Sequence, residues 1–260
     1  GLVVPSSTNS AAVLSTQPVA TLYDADNNIT SSTALVTISV SGATISGTTQ
    51  MAAVAGVADF AGKGITLTGT IGDKTMTASV TISGTTITSS AQTITLNVGA
   101  ATKVALIHPA AGAANRIAFT TQPDIEIQDS AGNKVSSGSY TIHVAVGAGA
   151  VVDGQNDVGS QSGVVNWSGA VGANQLSLRG AVGNYTITYS STGLTSATQS
   201  ISLTHGAATQ LVLQTAAAGA QAGIAFSTQP VVYIEDADNN LVTTNGCLLY
   251  TSDAADDTPC

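Results

Sequence analysis

Along most of the chain, apolar side chains return at every second position. Val36, Ile38 and Val40 alternate with Thr37 and Ser39, and Ile142, Val144 and Val146 with His143 and Ala145. Tyr185, Ile187 and Tyr189 alternate with Thr186 and Thr188, and Ile94, Leu96, Val98, Ile201 and Leu203 extend the pattern. A period of two sends neighbouring side chains to opposite faces, so it predicts strands with one buried and one wet face. Turn words such as Asp-Asn-Asn, Gly-Thr-Ile-Gly and Ser-Thr-Gly separate the runs. No stretch carries a sustained 3.6-residue period. The Ala-rich stretch 216–225 is interrupted by Gly219 and Gly223, and its counterpart 109–119 by Pro109 and Gly112, which predicts irregular or bulged backbone rather than helix.

The alternating blocks themselves recur. Leu14-Ser15-Thr16-Gln17-Pro18 returns as Phe119-Thr120-Thr121-Gln122-Pro123 and as Phe226-Ser227-Thr228-Gln229-Pro230. Six residues after each proline stands an aspartate (Asp24, Asp129, Asp236), and four further on an asparagine (Asn28, Asn133, Asn240). Gly99-Ala100-Ala101-Thr102 returns as Gly206-Ala207-Ala208-Thr209, and Gly56–Phe60 matches Gly163–Trp167, both 107 residues apart. Under that offset Ala78 stands where the second copy has Tyr185. A period of this length suits autonomous β-sandwich domains rather than solenoid units. The expected organisation is an all-β chain of tandem immunoglobulin-like sandwiches: repeat one over 1–99, repeat two over 100–206, and the start of repeat three over 207–246.

Residues 247–260 break both period and composition. Cys247–Asp256 is similar to one translated frame of a transposase-type sequencing-library adapter, so this tail is expected to be non-native. Both cysteines of the chain, Cys247 and Cys260, lie in it. The repeats therefore have to be held by their cores rather than by disulfides, which a sandwich of this size can manage.

Composition narrows the function classes. Only 8% of residues are charged and 4% aromatic, with Thr and Ser taking the polar positions. The net charge is −9. Nucleic-acid binding needs a basic footprint that this chain does not carry. No apolar run approaches the ~20 residues of a bilayer span, so no membrane insertion is expected.

The words Gln-Pro followed by an alternating strand and Asp-x-x-x-Asn (Gln122 to Asn133), Gly-Val-x-x-Phe/Trp (Gly163 to Trp167), Gly183–Leu194 and Gly206–Thr209 together resemble the bacterial immunoglobulin-like repeats of invasin- and intimin-type surface proteins and large adhesins. The resemblance covers residues 1 to about 246. It implies an extracellular or cell-surface location and a non-enzymatic role as spacer or display stalk, with neighbouring repeats of the same chain as partners. It leaves open a module that binds a host or matrix glycan or protein, and accessory repeats of a secreted hydrolase.

Asp24-x-Asp26-x-Asn28 and Asp236-x-Asp238-x-Asn240 space oxygen ligands like the opening of a calcium loop. The glycine at the sixth position and the bidentate acid at the twelfth are missing, since Ile29 and Leu35 stand there, and repeat two replaces one ligand with Ala131. The same residues make hairpin turns, where Asp and Asn bond their own backbone. Calcium is thus a candidate cofactor and no other is indicated. Trp167 aligns with Phe60, which predicts a core position rather than a glycan platform. His108, His143 and His205 have no counterparts in the other repeats, and no nucleophile–base motif occurs, so no catalytic residue is expected.

Overall fold

The computed structural model describes residues 1–167 and 175–243. Residues 247–260, expected to be non-native, lie outside the described residues. Repeat one carries β1 (Leu2–Val3), β2 (Ser7–Asn9), β3 (Val19–Thr21), β4 (Leu35–Ser41), β5 (Thr44–Ser46), β6 (Gln50–Ala52), β7 (Val57–Asp59), β8 (Thr66–Thr68), β9 (Gly72–Ile82), β10 (Thr85–Thr88) and β11 (Gln92–Asn97). Repeat two carries β12 (Lys103–His108), β13 (Asp124–Gln128), β14 (Thr141–Val146), β15 (Ala150–Asp153), β16 (Asp157–Gly159), β17 (Val164–Asn166), β18 (Ser177–Gly180), β19 (Gly183–Ser190) and β20 (Ala197–Leu203). β21 (Gln210–Thr215) and β22 (Val231–Glu235) open the third copy.

The pairing order recurs. Sheet β1-β3-β7 corresponds to β12-β13-β17, the path β11-β9-β4-β6 to β20-β19-β14-β16, and β5-β8 to β15-β18. β21-β22 repeats the β12-β13 pair, including a register shift at the same point: between Leu106 and His108 in one, between Leu213 and Thr215 in the other. The chain is all-β among the described residues, and repeats one and two are each an immunoglobulin-like sandwich in which two layers share one core.

The alternation seen in the sequence builds that core. In repeat one, Val36, Ile38, Met76, Val80, Ile94 and Leu96 from one sheet meet Leu2, Ala20, Ala58 and Leu67 from the other strands. In repeat two, Ile142, Val144, Ile187, Tyr189, Ile201 and Leu203 meet Val104, Ile125, Ile127, Val165 and Leu178. Each large aliphatic group taken from water contributes about 1.5–3 kcal/mol. Trp167 is buried, donates its Nε1–H to the Gln155 carbonyl at 2.9 Å and lies against Tyr189; Phe60 holds the same place in repeat one. Both are core residues.

The fixed 107-residue offset misplaces one strand. Lys74 pairs with Ile94 and Tyr185 with Ile201; Ala78 pairs with Ile38 and Tyr189 with Val144. Ala78 therefore corresponds to buried Tyr189, not to Tyr185. Repeat two has four more residues than repeat one between its Trp167 and Leu176, and repeat one has four more in the β9–β10 hairpin. The two shifts cancel, and a constant offset hides them.

Candidate functional site at the repeat joints

The recurring words converge on the junctions between copies. The Gln-Pro word is a staple inside each sandwich. Gln122 accepts the Leu176 N–H at Oε1 and donates Nε2–H to the Phe119 and Leu176 carbonyls. Gln17 does the same with Ile65 and Leu14. The amide locks the chain just before Pro18 or Pro123 onto a neighbouring strand. The following strand, β3 or β13, then ends at the Asp-x-x-x-Asn turn.

That turn folds on itself first. Asp129 Oδ1 accepts the Ala131 and Asn133 N–H groups, both at 2.9 Å, and Gly132 takes a positive φ of 89°. Asp24 and Asp236 repeat the arrangement, with Asn27 and Asn239 at φ 62° and 63°. Asn and Gly are the residues that tolerate this region most readily.

The turn of one repeat then clamps the preceding repeat. At the first joint, Asp129 Oδ2 accepts the Gly99 N–H at 2.9 Å. The Asn133 side chain donates to the Gly69 carbonyl at 2.8 Å and accepts the Ile71 N–H at 3.2 Å. At the second joint, Asp236 Oδ2 accepts the Gly206 N–H at 2.8 Å, while Asn240 donates to the Gly180 carbonyl and accepts the Val182 N–H, both at 2.9 Å. Asp129 and Asp236 are each 1% exposed. A Cβ on Gly99 or Gly206 would lie 2.4 Å from the Ser10 or Asn115 carbonyl oxygen, so only glycine lets these backbones approach.

The second joint carries an ion pair that the first does not. Arg116 donates Nε–H and Nη2–H to the two oxygens of Asp238 at 2.6 and 2.7 Å. Asn115 donates to both Asp236 and Asp238. In repeat one the matching positions are Ser10 and Ala11, and opposite Ala11's position repeat two offers Ala131. Ala11 and Arg116 both hold positive φ, at 62° and 63°. The Arg–Asp pair is thus present at the second joint, and both of its positions are alanine at the first.

The electrostatics follow from these contacts. Burial alone would raise the Asp236 and Asp129 carboxyls, but the N–H donors outweigh it and hold both below the usual carboxylate range. Asp238 is lowered chiefly by the Arg116 hydrogen bond, and Arg116 is raised by the same contact. Asp24 is lowered by the Asn28 N–H and side chain.

Of the candidate ligands, Asp236, Asp238 and Asn240 come together at the second joint. Asp24, Asp26 and Asn28 lie exposed at the Gly1 end of repeat one. The carboxylate oxygens of Asp24 and Asp236 face N–H donors. No group of three His, Cys, Asp or Glu residues that could hold a metal gathers among the described residues. His108 pairs with Asp124 and His143 with Asp157, at exposed and separate places. Asn115, Arg116, Gly69 and Gly180 were not legible as joint residues from the sequence. The recurrence of Gly-Ala-Ala-Thr did mark the glycine that each joint uses.

No known protein-family profile matches the chain, and no curated protein does. Among solved structures, it is similar to FdeC, an Escherichia coli adhesin, at 16% identity and TM-score 0.33, covering 80% of this chain and 64% of that one. It is similar to domains 4–9 of surface layer protein SbsC at 17% identity and TM-score 0.27, covering 90% and 33%. It is similar to a beta-glycosidase from Bacteroides vulgatus at 14% identity and TM-score 0.31, covering 78% of this chain. The chain spans about a quarter (24%) of that glycosidase's length. The sandwich assignment rests on the sheets and cores themselves.

Proposed function

We propose that this chain is a length of repeat array that acts as a spacer or display stalk of a bacterial cell-surface or secreted protein, of the invasin- and intimin-like kind. The observation that carries this reading is the joint, built twice from the same turn, the same glycine and the same loop. In repeat two the leading face holds Asp129–Asn133 and Thr102, which bonds Thr195 just before β20. The trailing face holds Asn115, bonded to Thr204 just after β20. The seven residues of β20 separate the two faces by about 23 Å, at ~3.3 Å each. Joints at opposite ends place successive repeats in line rather than side by side.

Mechanically, each sandwich is a cooperative unit, and the buried Asp–Gly and Asn–loop bonds limit bending between units. Single-molecule pulling tests this. The two sandwiches should unfold in separate events, each releasing about 330–360 Å of chain for ~100 residues. One merged event, or none, would count against a string of mechanical units. A glycan array probed with the whole chain tests the alternative in which the repeats bind a glycan, which a blank array would remove. Calcium at the Asp/Asn turns is tested by melting with and without chelator. The N–H donors on Asp24 and Asp236 lead us to expect an unchanged midpoint, and a fall would restore the ion.

A further inference from the structure

The Gly1 end of repeat one carries two features that the internal joints explain. The first is a cavity of about 270 Å³ beside Gly1, lined by Leu22, Tyr23, Val36, Ala78, Val80 and Ile87 among others. In repeat two the matching ground is covered by the start of β12 and the residues just before it. Val104 is 4% exposed, pairs with Ile127, and donates its N–H to the Thr195 carbonyl. Thr102 donates to the Gln128 carbonyl. In repeat three, Leu211 pairs with Ile234 and Thr209 donates to the Glu235 carbonyl in the same way. By register, Gly1 corresponds to Ala105 and Val212, one residue after Val104 and Leu211. Leu22 and Thr88 correspond to Ile127 and Thr195, and both line the cavity.

The second feature is Asp26. Its counterparts are Ala131, which faces a joint with Ala11, and Asp238, which binds Arg116. An acid at this position therefore goes with an arginine on the repeat before it, and alanine goes with alanine. Asp24 and Asn28, beside it, hold the geometry that in Asp129–Asn133 and Asp236–Asn240 grips a glycine N–H and a loop.

We propose that the Gly1 end of repeat one is the receiving half of a further joint, shaped for the trailing end of another repeat of the repeat-two type. An extended Gly-Ala-Ala-Thr-x-aliphatic segment fills the groove beside β3, its glycine N–H meets Asp24, and an Asn-Arg pair meets Asp26. This rests on the serial-array reading and specifies the partner's chemistry.

Two additions to the full chain test it. The first places a copy of Gly99–Val104 directly ahead of Gly1. The melting midpoint of repeat one should rise by about 4 °C or more, with slower hydrogen exchange over residues 19–41. A copy carrying Val104→Asp should give neither effect. No rise, or an equal rise with the aspartate, would overturn the groove assignment. The second addition places a copy of residues 100–211 ahead of Gly1, and combines Arg116→Ala in that copy with Asp26→Ala. The arginine substitution should lower the midpoint only while Asp26 is present. The original Arg116–Asp238 pair, cycled in the same protein, is the internal control. Coupling there but none at Asp26 defeats this proposal and leaves the array reading intact. Coupling at neither place also defeats the Asp26 assignment, and the array reading falls only if Asp129→Ala and Asp236→Ala leave the joints unaffected as well.

Discussion

A single buried amide shows how one residue sets a strand. Gln122 is 6% exposed and places both ends of its amide on backbone groups inside the sandwich. Removing it takes a partner from the Leu176 N–H and from the Phe119 carbonyl, at about 1–3 kcal/mol for each buried group lost, while the Leu176 carbonyl keeps the Phe119 N–H. Gln122→Ala should therefore destabilise repeat two by about 2–3 kcal/mol and lower its melting midpoint by about 10 °C. Trp167, in the core of the same repeat, supplies a fluorescence signal for that transition. Among the described residues Gln229 bonds Phe226 alone and is exposed, so Gln229→Ala should leave the midpoint within a degree or two. Equal effects from the two substitutions would contradict the staple. At this scale the sequence was informative: the Gln-Pro word, the Asp and Asn of each turn, and the core place of Trp167 could all be read from it. What it concealed were partners that are backbone groups. The Gly69 and Gly180 carbonyls and the Ile71 and Val182 amides leave no side-chain signature at any spacing.

At the scale of the element, the turn and the loop it grips behave as a latch whose strength depends on ionised carboxylates. Asp236 and Asp238 sit below the ordinary range in the folded joint, whereas a released aspartate takes up its proton near ~3.9. A depressed folded pKa gives stability that is fully present above the released value and is lost as pH falls toward the folded one. The melting midpoint should thus hold level from neutral pH to about 4.5 and decline below it. Asp236→Asn should flatten that decline while lowering the plateau. A decline of the same steepness in the variant would place the acid sensitivity elsewhere. Arg116 is 46% exposed at its side chain, so water screens its pair with Asp238, and the buried Asp–Gly and Asn–loop bonds carry most of the joint. Alternation was legible for most elements. The exception was β9 against β19, where two opposite shifts of four residues kept the overall offset at 107 and brought Ala78 opposite the wrong tyrosine. Only the register, which follows from hydrogen bonding, separates Lys74–Tyr185 from Ala78–Tyr189.

For the whole molecule, the claim is that sandwiches with private cores are fastened end to end by latches at opposite faces. The two cores share no buried residue, and Val98 of repeat one packs against the second at the joint, so bending between repeats is resisted at the joints, where Asp129 and Asp236 are buried. Small-angle X-ray scattering of the intact chain, alone and with Asp129→Ala and Asp236→Ala combined, measures this most directly. A compact body of 260 residues would have a radius of gyration of about 18 Å. The latched array should exceed that clearly and give the profile of a stiff, elongated particle, and the double variant should turn it into a flexible one. A radius near 18 Å, or identical profiles for the two proteins, would contradict the end-to-end latched arrangement.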